Sequence, residues 1–512
     1  MATHLFAAID VGSFELELGI YEMSTKYGMR QVDHLRHMIA LGKDTYNSGK
    51  ISYELVDELC RILGQFSSVM ESYKVEAYHA YATSAMREAK NNQIILDQIL
   101  VRTGILVKVI SNSEQRFLSY KAIATSEAEF SKIIQKGTAI VDVGFGSMQL
   151  SLFDKDSLIS TQNLRLGVLR IRELLSRIQT ETKTHYSQIE EMVDNELATY
   201  KKLYLKDREI QNLIGIGESI LYLFRRADAT KPTDRVNAAD FKKFCERLIT
   251  LSLDQIEDEF GVNEEYASLL IPSAIIYKQA LELTGAEMLW IPGIRLCDGI
   301  AAEYAEQIKQ IRFTHSFDDD ILAASRNMSK RYRCHTNHIQ NIEGYVLMIF
   351  DSMRRYHGLG SRERLLLQIA TILHDCGKFI SMKTPSLSAY NLILSTEIIG
   401  LSHMEREIIA NVVRYNLEEF DYNQVHLDGH ESADATILIA KLTAMLSLAN
   451  AMDRSHLQKM EGCKVNIKGG LLQLTTEYEG DLSLENIAIL QSADFFEEIF
   501  GVRPALKQKR RV

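Results

Sequence analysis

Apolar residues recur along this chain at two spacings, and the change from one to the other outlines its domains. Residues 5–23 have the pattern of two strands joined by a tight Gly-Ser turn. Residues 51–73 carry apolar positions at helical spacing, which predicts a helix. Residues 75–82 and 105–110 are strand-like, and a helix is expected to begin near residue 111. The N-terminal third is therefore predicted to be α/β.

The same order of elements starts again near residue 138. Residues 138–142 predict a buried strand, followed by a glycine turn and a second strand over 148–153. A further glycine turn, Gly215-Ile216-Gly217, falls in this second half. Such duplication predicts two related α/β halves that face one another across a cleft.

Strand patterns fade after about residue 310. Residues 316–460 have an almost wholly helical pattern, 463–478 predict a β-hairpin around two adjacent glycines, and a last helix is expected near 484–499. We therefore expect three domains, namely 1–125 and 126–310, both α/β, and a helical domain over 311–512 that ends in the small hairpin and helix.

Composition restricts the classes of function. The net charge is −10 over 512 residues, which gives no general attraction to nucleic acid, so no nucleic-acid partner is expected. The six cysteines form no C-x-x-C pair, which indicates reduced thiols. No signal-peptide pattern and no apolar run of roughly 18–20 residues is found, so we expect a cytoplasmic protein without a membrane partner. The basic residues 507–511 are expected to be a solvated end, with a polyanion-binding arm as the alternative.

Two short motifs carry the candidate chemistry. Asp10 precedes Gly12 and Ser13, and Asp142 precedes Gly144, Phe145, Gly146 and Ser147. Glycine lets the backbone approach an anion, successive N–H groups and a serine hydroxyl can donate to it, and the Asp can hold hydrated Mg²⁺. The alternative is a pair of ordinary hairpin turns, but their repetition in duplicated contexts favours a phosphate site.

The residue sequences of several segments are specific enough to indicate a family. The chain resembles the exopolyphosphatase/guanosine-pentaphosphate phosphatase (Ppx/GppA) family of the actin-like ATPase superfamily. The resemblance is carried by residues 8–13, 82–89, 110–114, 141–144, 166–170 and 215–217, and it runs through nearly the whole chain. It implies two actin-like (ribonuclease H-like) α/β domains followed by an all-α HD-type domain, and it suggests a homodimer.

The resemblance also implies roles for single residues. Asp10 and Asp142 match paired aspartates that hold Mg²⁺ and water, and the catalytic base position falls on the pair Glu114-Gln115. The residues matched to phosphate binding are Gly12, Ser13, Arg87, Gly144, Gly146, Ser147, Gly215 and Gly217. Arginine suits such a role because its fork can pair two phosphate oxygens.

Several positions depart from the family pattern. Gln115 stands where the family has its general base, and an amide cannot accept a proton from water; the loss of a positioned base typically costs about 10²–10⁴-fold. Glu114 is a poor substitute because adjacent helix positions point about 100° apart. Phe14 and Glu15 replace potential phosphate donors, Phe145 adds bulk, and Glu218 adds negative charge. Together these changes indicate weakened phosphate binding or hydrolysis.

The C-terminal part has the signature of HD-type phosphohydrolases. His338, His374 and Asp375 match metal ligands of that class, and such an ion generates hydroxide near neutral pH. Asn450 stands where the later Asp is expected, with Asp453 nearby as a partial substitute. The alternative is a hydrogen-bonded structural cluster without metal. His335, His403 and His456 are expected to be isolated surface or cap residues.

Two functions follow. The first is hydrolysis of the terminal phosphate of inorganic polyphosphate or of guanosine pentaphosphate in an interdomain cleft with Mg²⁺. The second is a catalytically weakened protein that senses polyphosphate or a guanine nucleotide alarmone through closure of the same cleft.

Overall fold

The structure is a computed structural model that describes residues 3–126, 130–176, 182–224, 235–425, 427 and 433–509. The chain forms two compact units, Met1–Asp320 and Ile321–Val512. The sequence placed the start of the helical part near residue 311, close to this boundary. The finer domain limits stay predictions, and the two units are described separately.

The first sheet of unit one is built around a long hairpin. Its strands are β1 His4–Val11, β2 Glu15–Ser24, β3 Gly28–Met38, β4 Ala77–Ala82 and β5 Val107–Val109. They lie in the order β3-β2-β1-β4-β5, with β1 antiparallel to β2 and parallel to β4. The helices in this stretch are α1 Leu41–Ser48, α2 Tyr53–Tyr73, α3 Ser84–Glu88, α4 Asn92–Thr103, α5 Asn112–Ser126 and α6 Phe130–Ile133. We call this sheet and its helices the first lobe.

The second sheet repeats the plan of the first, which confirms the predicted duplication. Its strands are β6 Thr138–Val143, β7 Met148–Asp154, β8 Ser157–Leu164, β9 Asn212–Ile216, β10 Arg235–Asn237 and β11 Met288–Trp290. The order is β8-β7-β6-β9-β11-β10, so the antiparallel set β6-β7-β8 corresponds to β1-β2-β3 and the parallel strand β9 corresponds to β4.

Helices of the second lobe cover this sheet. They are α7 Val168–Leu175, α8 Thr182–Tyr200, α9 Glu218–Phe224, α10 Ala238–Leu248, α11 Leu253–Phe260 and α12 Glu264–Thr284. The next helix, α13 Leu296–Gln307, returns to the first lobe and packs against α5, β1 and β2. The first lobe is therefore completed by residues far along the chain.

Each lobe has an apolar core, and the core of the second lobe has one unexpected member. Phe14, from the turn between β1 and β2, is fully buried in the core of the second lobe beside Val143, Val168 and Leu169. An aromatic side chain of one lobe thus contributes to the hydrophobic stabilisation of the other.

Unit two is mostly helical and ends in a small sheet. After α14 Phe317–Arg331, which crosses the unit boundary, it contains α15 Thr336–Ser352, α16 Arg354–His357, α17 Ser361–Leu373, α18 Pro385–Ser395, α19 His403–Tyr415, α20 Ala433–Ala451, β12 Lys464–Lys468, β13 Leu471–Thr476, α21 Ser483–Phe500 and β14 Arg503–Gln508. The predicted hairpin and last helix are confirmed. Strand β14, parallel to β13, was not predicted, and Lys507 lies in it opposite Thr475. Residues 507–509 are nevertheless exposed, as expected of a solvated end, and the rest of the basic segment lies outside the described residues.

One helix in the described residues, α20, is long and apolar enough to cross a membrane by length and composition. The expectation that no run reaches this length therefore needs correction. However, 56% of the helix window is buried, and α20 packs against α15, α19 and α21. This is the environment of a core helix, so its apolar character is explained by packing within unit two.

Candidate functional site

A cavity of about 90 Å³ lies between the two lobes of unit one, and the paired aspartates share it. Asp10 and Asp142 both line it, together with the predicted residues Gly12, Ser13, Gln115, Gly144, Ser147 and Gly217. The volume leaves room for a few water molecules. The duplicated turns therefore converge as the sequence predicted.

Equivalent positions in two hairpins place the aspartates. Asp10 lies near the end of β1 opposite Glu17 of β2, and Asp142 lies near the end of β6 opposite Gln149 of β7. Like charges directly opposite one another in a sheet are unfavourable, so the first hairpin carries a repulsion that the second avoids. Gln149 instead accepts a hydrogen bond from buried Arg116 at 3.0 Å.

Burial and like charge make these carboxyls hard to ionise. The pKa of Asp10 is well above its usual range because of burial first, and then because of Glu17, Glu15 and Asp142. Burial raises the pKa of Asp142 to about 6, although a hydrogen bond from Ser119 at 3.2 Å opposes the rise. The Asp142 carboxyl therefore changes its protonation state near pH 6.

A group of glutamates extends the acidic surface. Carboxylate oxygens of Glu15, Glu17 and Glu218 lie within 4.8 Å of one another. Arg295 Nε lies 3.1 Å from Glu218 Oε1 and 3.7 Å from Glu17 Oε1, and Arg36 lies 3.4 Å from Glu218 Oε2. Since Glu218 belongs to the second lobe, these ion pairs join the lobes at the cavity.

The donor set suits a hard divalent cation. The Oδ1 atom of Asp10 is buried and has no hydrogen-bond partner in the described part of the chain. Oxygen ligands from several carboxylates are what Mg²⁺ and Ca²⁺ prefer, and a cation would also relieve the mutual repulsion of these groups. The residues therefore fit the Mg²⁺ that the family resemblance implies.

The two glycine turns touch one another through aromatic side chains. The Phe14 and Phe145 ring centroids lie 5.0 Å apart, and Phe14 also meets the edge of Tyr266 at 5.1 Å. A Cβ on Gly146 would lie 2.0 Å from the Tyr46 hydroxyl and 2.4 Å from Ser84 Oγ, so a larger residue would force these side chains to move. The contact between the Phe14 and Phe145 rings fills the space between the turns.

Hydroxyl groups near the first turn are already engaged. Ser13 Oγ lies 2.8 Å from Ser84 Oγ and 2.9 Å from the Tyr46 hydroxyl, and it accepts a hydrogen bond from the Ala85 amide at 3.1 Å. Ser13 lines the cavity, but its hydroxyl would have to exchange these partners in order to donate to a phosphate.

Of the pair Glu114-Gln115, on which the catalytic base position falls, one residue lines the cavity. Gln115 lines the cavity, whereas the Glu114 carboxylate accepts hydrogen bonds from Lys108 at 2.9 Å and from the Ser111 amide at 2.8 Å. Glu114 therefore caps the start of α5 and pairs with a lysine. The side chain that reaches the cavity is the amide.

Three predicted phosphate ligands lie away from the cavity lining. Arg87 donates to the Ile110 carbonyl and to Asn112 Oδ1, which ties α3 to the start of α5. Gly215 packs against Leu289 and Tyr277, and Gly146 is enclosed as described above. Gly217 does line the cavity, and its φ of +136° together with a prospective Cβ contact of 2.3 Å to the Val143 carbonyl requires glycine.

Unit two brings the predicted His-Asp residues together. Ligand atoms of His338, His374 and Asp375, all buried, lie within 4.8 Å of one another. His338 Nδ1 lies 2.7 Å from Asp453 Oδ2, and His374 Nδ1 donates to the Thr371 carbonyl at 2.7 Å. Fixing Nδ1 in this way is the usual support around histidine ligands, and it leaves His374 Nε2 without a hydrogen-bond partner among the described residues.

Other neighbours modify this cluster. His374 Nε2 lies 3.3 Å from Asp375 Oδ1, and Asn450 Oδ1 lies 3.2 Å from His338 Nε2. Burial lowers the pKa of His374, which favours the neutral imidazole that metals require. Lys378 Nζ, 2.8 Å from Asp375 Oδ1, supplies a competing positive charge. The donor set fits a divalent ion, and the assignment of His338, His374 and Asp375 as metal ligands stays a prediction.

Several residues of these sites were missed from the sequence. His456 was expected to be isolated, but its ring stacks on His338 with centroids 3.7 Å apart, and burial lowers its pKa to about 4. Arg295 lies just before α13, where nothing in its local pattern marks it. Glu15 and Glu17 could have been paired, since alternate residues of a strand share one face.

Known proteins match the chain over both units. The model of the Ppx/GppA phosphatase family matches residues 20–303, and that of Ppx/GppA phosphatase domain III matches residues 322–491. A guanosine-5′-triphosphate,3′-diphosphate pyrophosphatase from Vibrio atlanticus is 20% identical over 448 residues, which cover 86% of this chain and 87% of that protein.

Solved structures agree with the fold over about three-fifths of the chain. An exopolyphosphatase from Cytophaga hutchinsonii has a TM-score of 0.53 at 18% identity, covering 60% of this chain and all of that one. The Ppx/GppA family member of Aquifex aeolicus has a TM-score of 0.51 at 20% identity, covering 61% of this chain and all of that one. With the family models spanning most of its length, the chain belongs to the Ppx/GppA phosphatase family.

Proposed function

We propose that this chain is a phosphohydrolase that releases the terminal phosphate from inorganic polyphosphate or guanosine pentaphosphate in the cavity between its lobes. The observation that carries the proposal is the convergence of Asp10 and Asp142, from duplicated hairpins, on one cavity. The phosphatase family and the activities named for its relatives support the same class of substrate.

In this proposal, Asp10 and Asp142 hold a divalent cation, with Glu17 and Glu218 adding negative charge nearby. Bound Mg²⁺ neutralises charge on the phosphate and lowers the pKa of coordinated water. Ser119 fixes the orientation of the Asp142 carboxylate through its hydrogen bond.

Substrate contacts come from the glycine turns. Gly12, Gly144 and Gly217 allow close approach of the backbone to a phosphate, and the Ser147 hydroxyl lines the same cavity. Arg295 is the arginine of the lining, but it is paired with Glu17 and Glu218. A polyanion therefore needs the cation to enter first, because the lining is otherwise strongly acidic.

The test is phosphate release from long-chain polyphosphate and from guanosine pentaphosphate, with Mg²⁺ and with a chelator. Release that requires Mg²⁺ and is lost in Asp10→Asn supports the proposal. Release that persists in the chelator or in Asp10→Asn contradicts it.

A ligand-sensing regulatory role is the second candidate, and Gln115 favours it because no base for water is present at that position. The contact between Phe14 and Phe145 favours it as well, since these side chains join the two glycine turns and couple the positions of the lobes. Under this candidate the native chain binds polyphosphate, seen as a shift in melting temperature, without turnover. Turnover by the native chain excludes it.

A further inference from the structure

Unit two exposes a group of large apolar side chains on one short turn. Phe379, Ile380 and Met382 follow the His-Asp pair and are 53%, 59% and 80% exposed, and Leu387, close by at the start of α18, is exposed as well. We call residues 378–383 the apolar turn. Contiguous exposed apolar surface of this kind commonly marks a site of interaction with another molecule.

Hydrogen bonds and close packing hold the apolar turn in one conformation. The amides of Ile380 and Ser381 both donate to the Gly377 carbonyl at 3.0 Å. Ser381 Oγ in turn accepts a hydrogen bond from the Lys383 amide at 3.2 Å. A Cβ on Gly377 would lie 1.9 Å from the Pro385 carbonyl oxygen, so the turn packs directly against α18. A pre-formed turn has little conformational freedom to lose on binding, which favours its use as a contact surface.

Basic side chains surround the apolar turn. The rings of Tyr332 and Phe379 meet edge to face with centroids 5.8 Å apart, which brings the residues that follow α14 next to the turn. Lys330, Arg333 and Lys383 are exposed, and within the described residues none of them takes part in an ion pair. Because the whole chain carries a net charge of −10, this surface is a local reversal of sign. Its charge therefore favours an acidic partner.

A second surface of unit two has the opposite charge. The end of α19, α20 and α21 line a cavity of about 570 Å³, which we call the acidic groove. Its apolar part includes Leu417, which is exposed, and the rings of Phe420 and Phe495, stacked with centroids 5.3 Å apart. The charged residues of the lining are Glu418, Glu419, Asp494, Glu498 and Arg454. The groove thus combines an aromatic surface with a net negative charge.

Two acidic residues of the groove are open to an incoming cation. Glu418 and Asp494 already pair with arginines of their own chain. Glu419 and Glu498 are exposed and take part in no ion pair in the described part of the chain. The apolar turn and the acidic groove therefore match in both respects, apolar side chains with aromatic rings and unpaired cations with unpaired carboxylates.

We propose that the apolar turn of one copy of this chain docks in the acidic groove of a second copy. Phe379, Ile380 and Met382 enter the aromatic part of the groove, and Lys383 faces the carboxylates at Glu419. Docking in both directions closes a symmetric dimer. The family resemblance suggests a homodimer without indicating its surfaces, and this contact does not depend on the proposed hydrolase activity.

The experiment is sedimentation velocity of the full chain at low ionic strength over a range of concentrations. We expect the native chain to self-associate. Lys383→Glu and Glu419→Lys should each weaken association about tenfold or more, since each brings like charges together. An equimolar mixture of the two variants should associate as the native chain does, because every turn then meets a groove of opposite charge.

Two further variants separate the contact from a general effect of charge. Lys468→Glu changes charge equally at an exposed position of β12 and should leave association unchanged. Met382→Ser keeps the charge but removes apolar surface, and it should weaken association. The proposal is overturned if the native chain is monomeric up to its solubility limit, if either charge reversal associates as the native chain does, or if the mixture stays monomeric.

Discussion

The rings of Phe14 and Phe145 lie 5.0 Å apart and connect the two turns that each follow a candidate metal-binding aspartate. Phe14 is fully buried in the core of the lobe to which it does not belong by sequence. Arg170 strengthens the same junction, donating to the Gly146 carbonyl at 2.8 Å and pairing with Glu88 at 2.6 Å. The closed arrangement of the lobes is thus stabilised by side chains.

The first prediction concerns the stability of this junction. Phe14→Ala should lower the free energy of unfolding of unit one by about 3–5 kcal/mol, the range for removing a buried phenylalanine. The single tryptophan, Trp290, lies in β11 of unit one, so its fluorescence during urea unfolding reports this unit. Phe379→Ala, at a position 53% exposed, is the control and should have little effect. A loss below about 1 kcal/mol for Phe14→Ala would refute the role given to it.

The second prediction concerns the base position. Gln115→Glu places a carboxylate in the cavity and should increase phosphate release, by at most about 10²–10⁴-fold, the usual effect of a positioned base. Glu114→Gln is the control, because Glu114 faces Lys108 and caps a helix. Equal rates for the native chain and Gln115→Glu would show that position 115 does not carry the base.

The third prediction concerns pH. The folded chain holds the Asp142 proton to about pH 6, whereas the ordinary pKa is 3.8, so the free energy of unfolding falls as pH rises through this window. Without divalent cations, Asp142→Asn should therefore be more stable than the native chain at pH 7, by up to about 3 kcal/mol, and similar to it near pH 4.

Urea unfolding at both pH values measures this difference. Asp97→Asn, at an exposed position on α4, is the control and should show no such gap. A native chain that is more stable than Asp142→Asn at pH 7 would mean that the buried carboxylate is better compensated than its surroundings indicate.

The fourth prediction concerns the His-Asp cluster. Co²⁺ should give the visible absorbance of a nitrogen-bound ion with the full chain, and His374→Ala should remove it, since His374 Nε2 has no hydrogen-bond partner among the described residues. His403→Ala, at an exposed histidine of the same unit, should leave the spectrum unchanged. Asn450→Asp should raise the affinity about tenfold, because a carboxylate replaces a neutral amide. Identical spectra for the native chain and His374→Ala would leave the cluster as a structural feature.

Local patterns predicted much of this architecture. The hairpins, their repetition and the convergence of Asp10 and Asp142 follow from strand periodicity and glycine turns, which act over short distances. Strand β14 was not predicted because its lysines indicated solvent exposure; Lys507 is indeed exposed, but its backbone pairs with β13 opposite Thr475. Arg87 was assigned to phosphate from a motif, but its direction depends on the Ile110 carbonyl and Asn112.

The electrostatic character of the cavity could not be predicted in the same way. Glu17, Glu218 and Arg295 are separated by long stretches of chain and meet only because α13 returns to the first lobe. The homodimer, the cytoplasmic location and the absence of membrane and nucleic-acid partners stay predictions.

The most direct measurement is the initial rate of phosphate release from long-chain polyphosphate at saturating Mg²⁺, compared between the native chain and Asp142→Ala. A cation-dependent rate for the native chain that falls to background in Asp142→Ala is the result predicted by a hydrolytic cavity shared by both lobes. An equal rate in the two proteins, or no release by the native chain and Gln115→Glu alike, would contradict it.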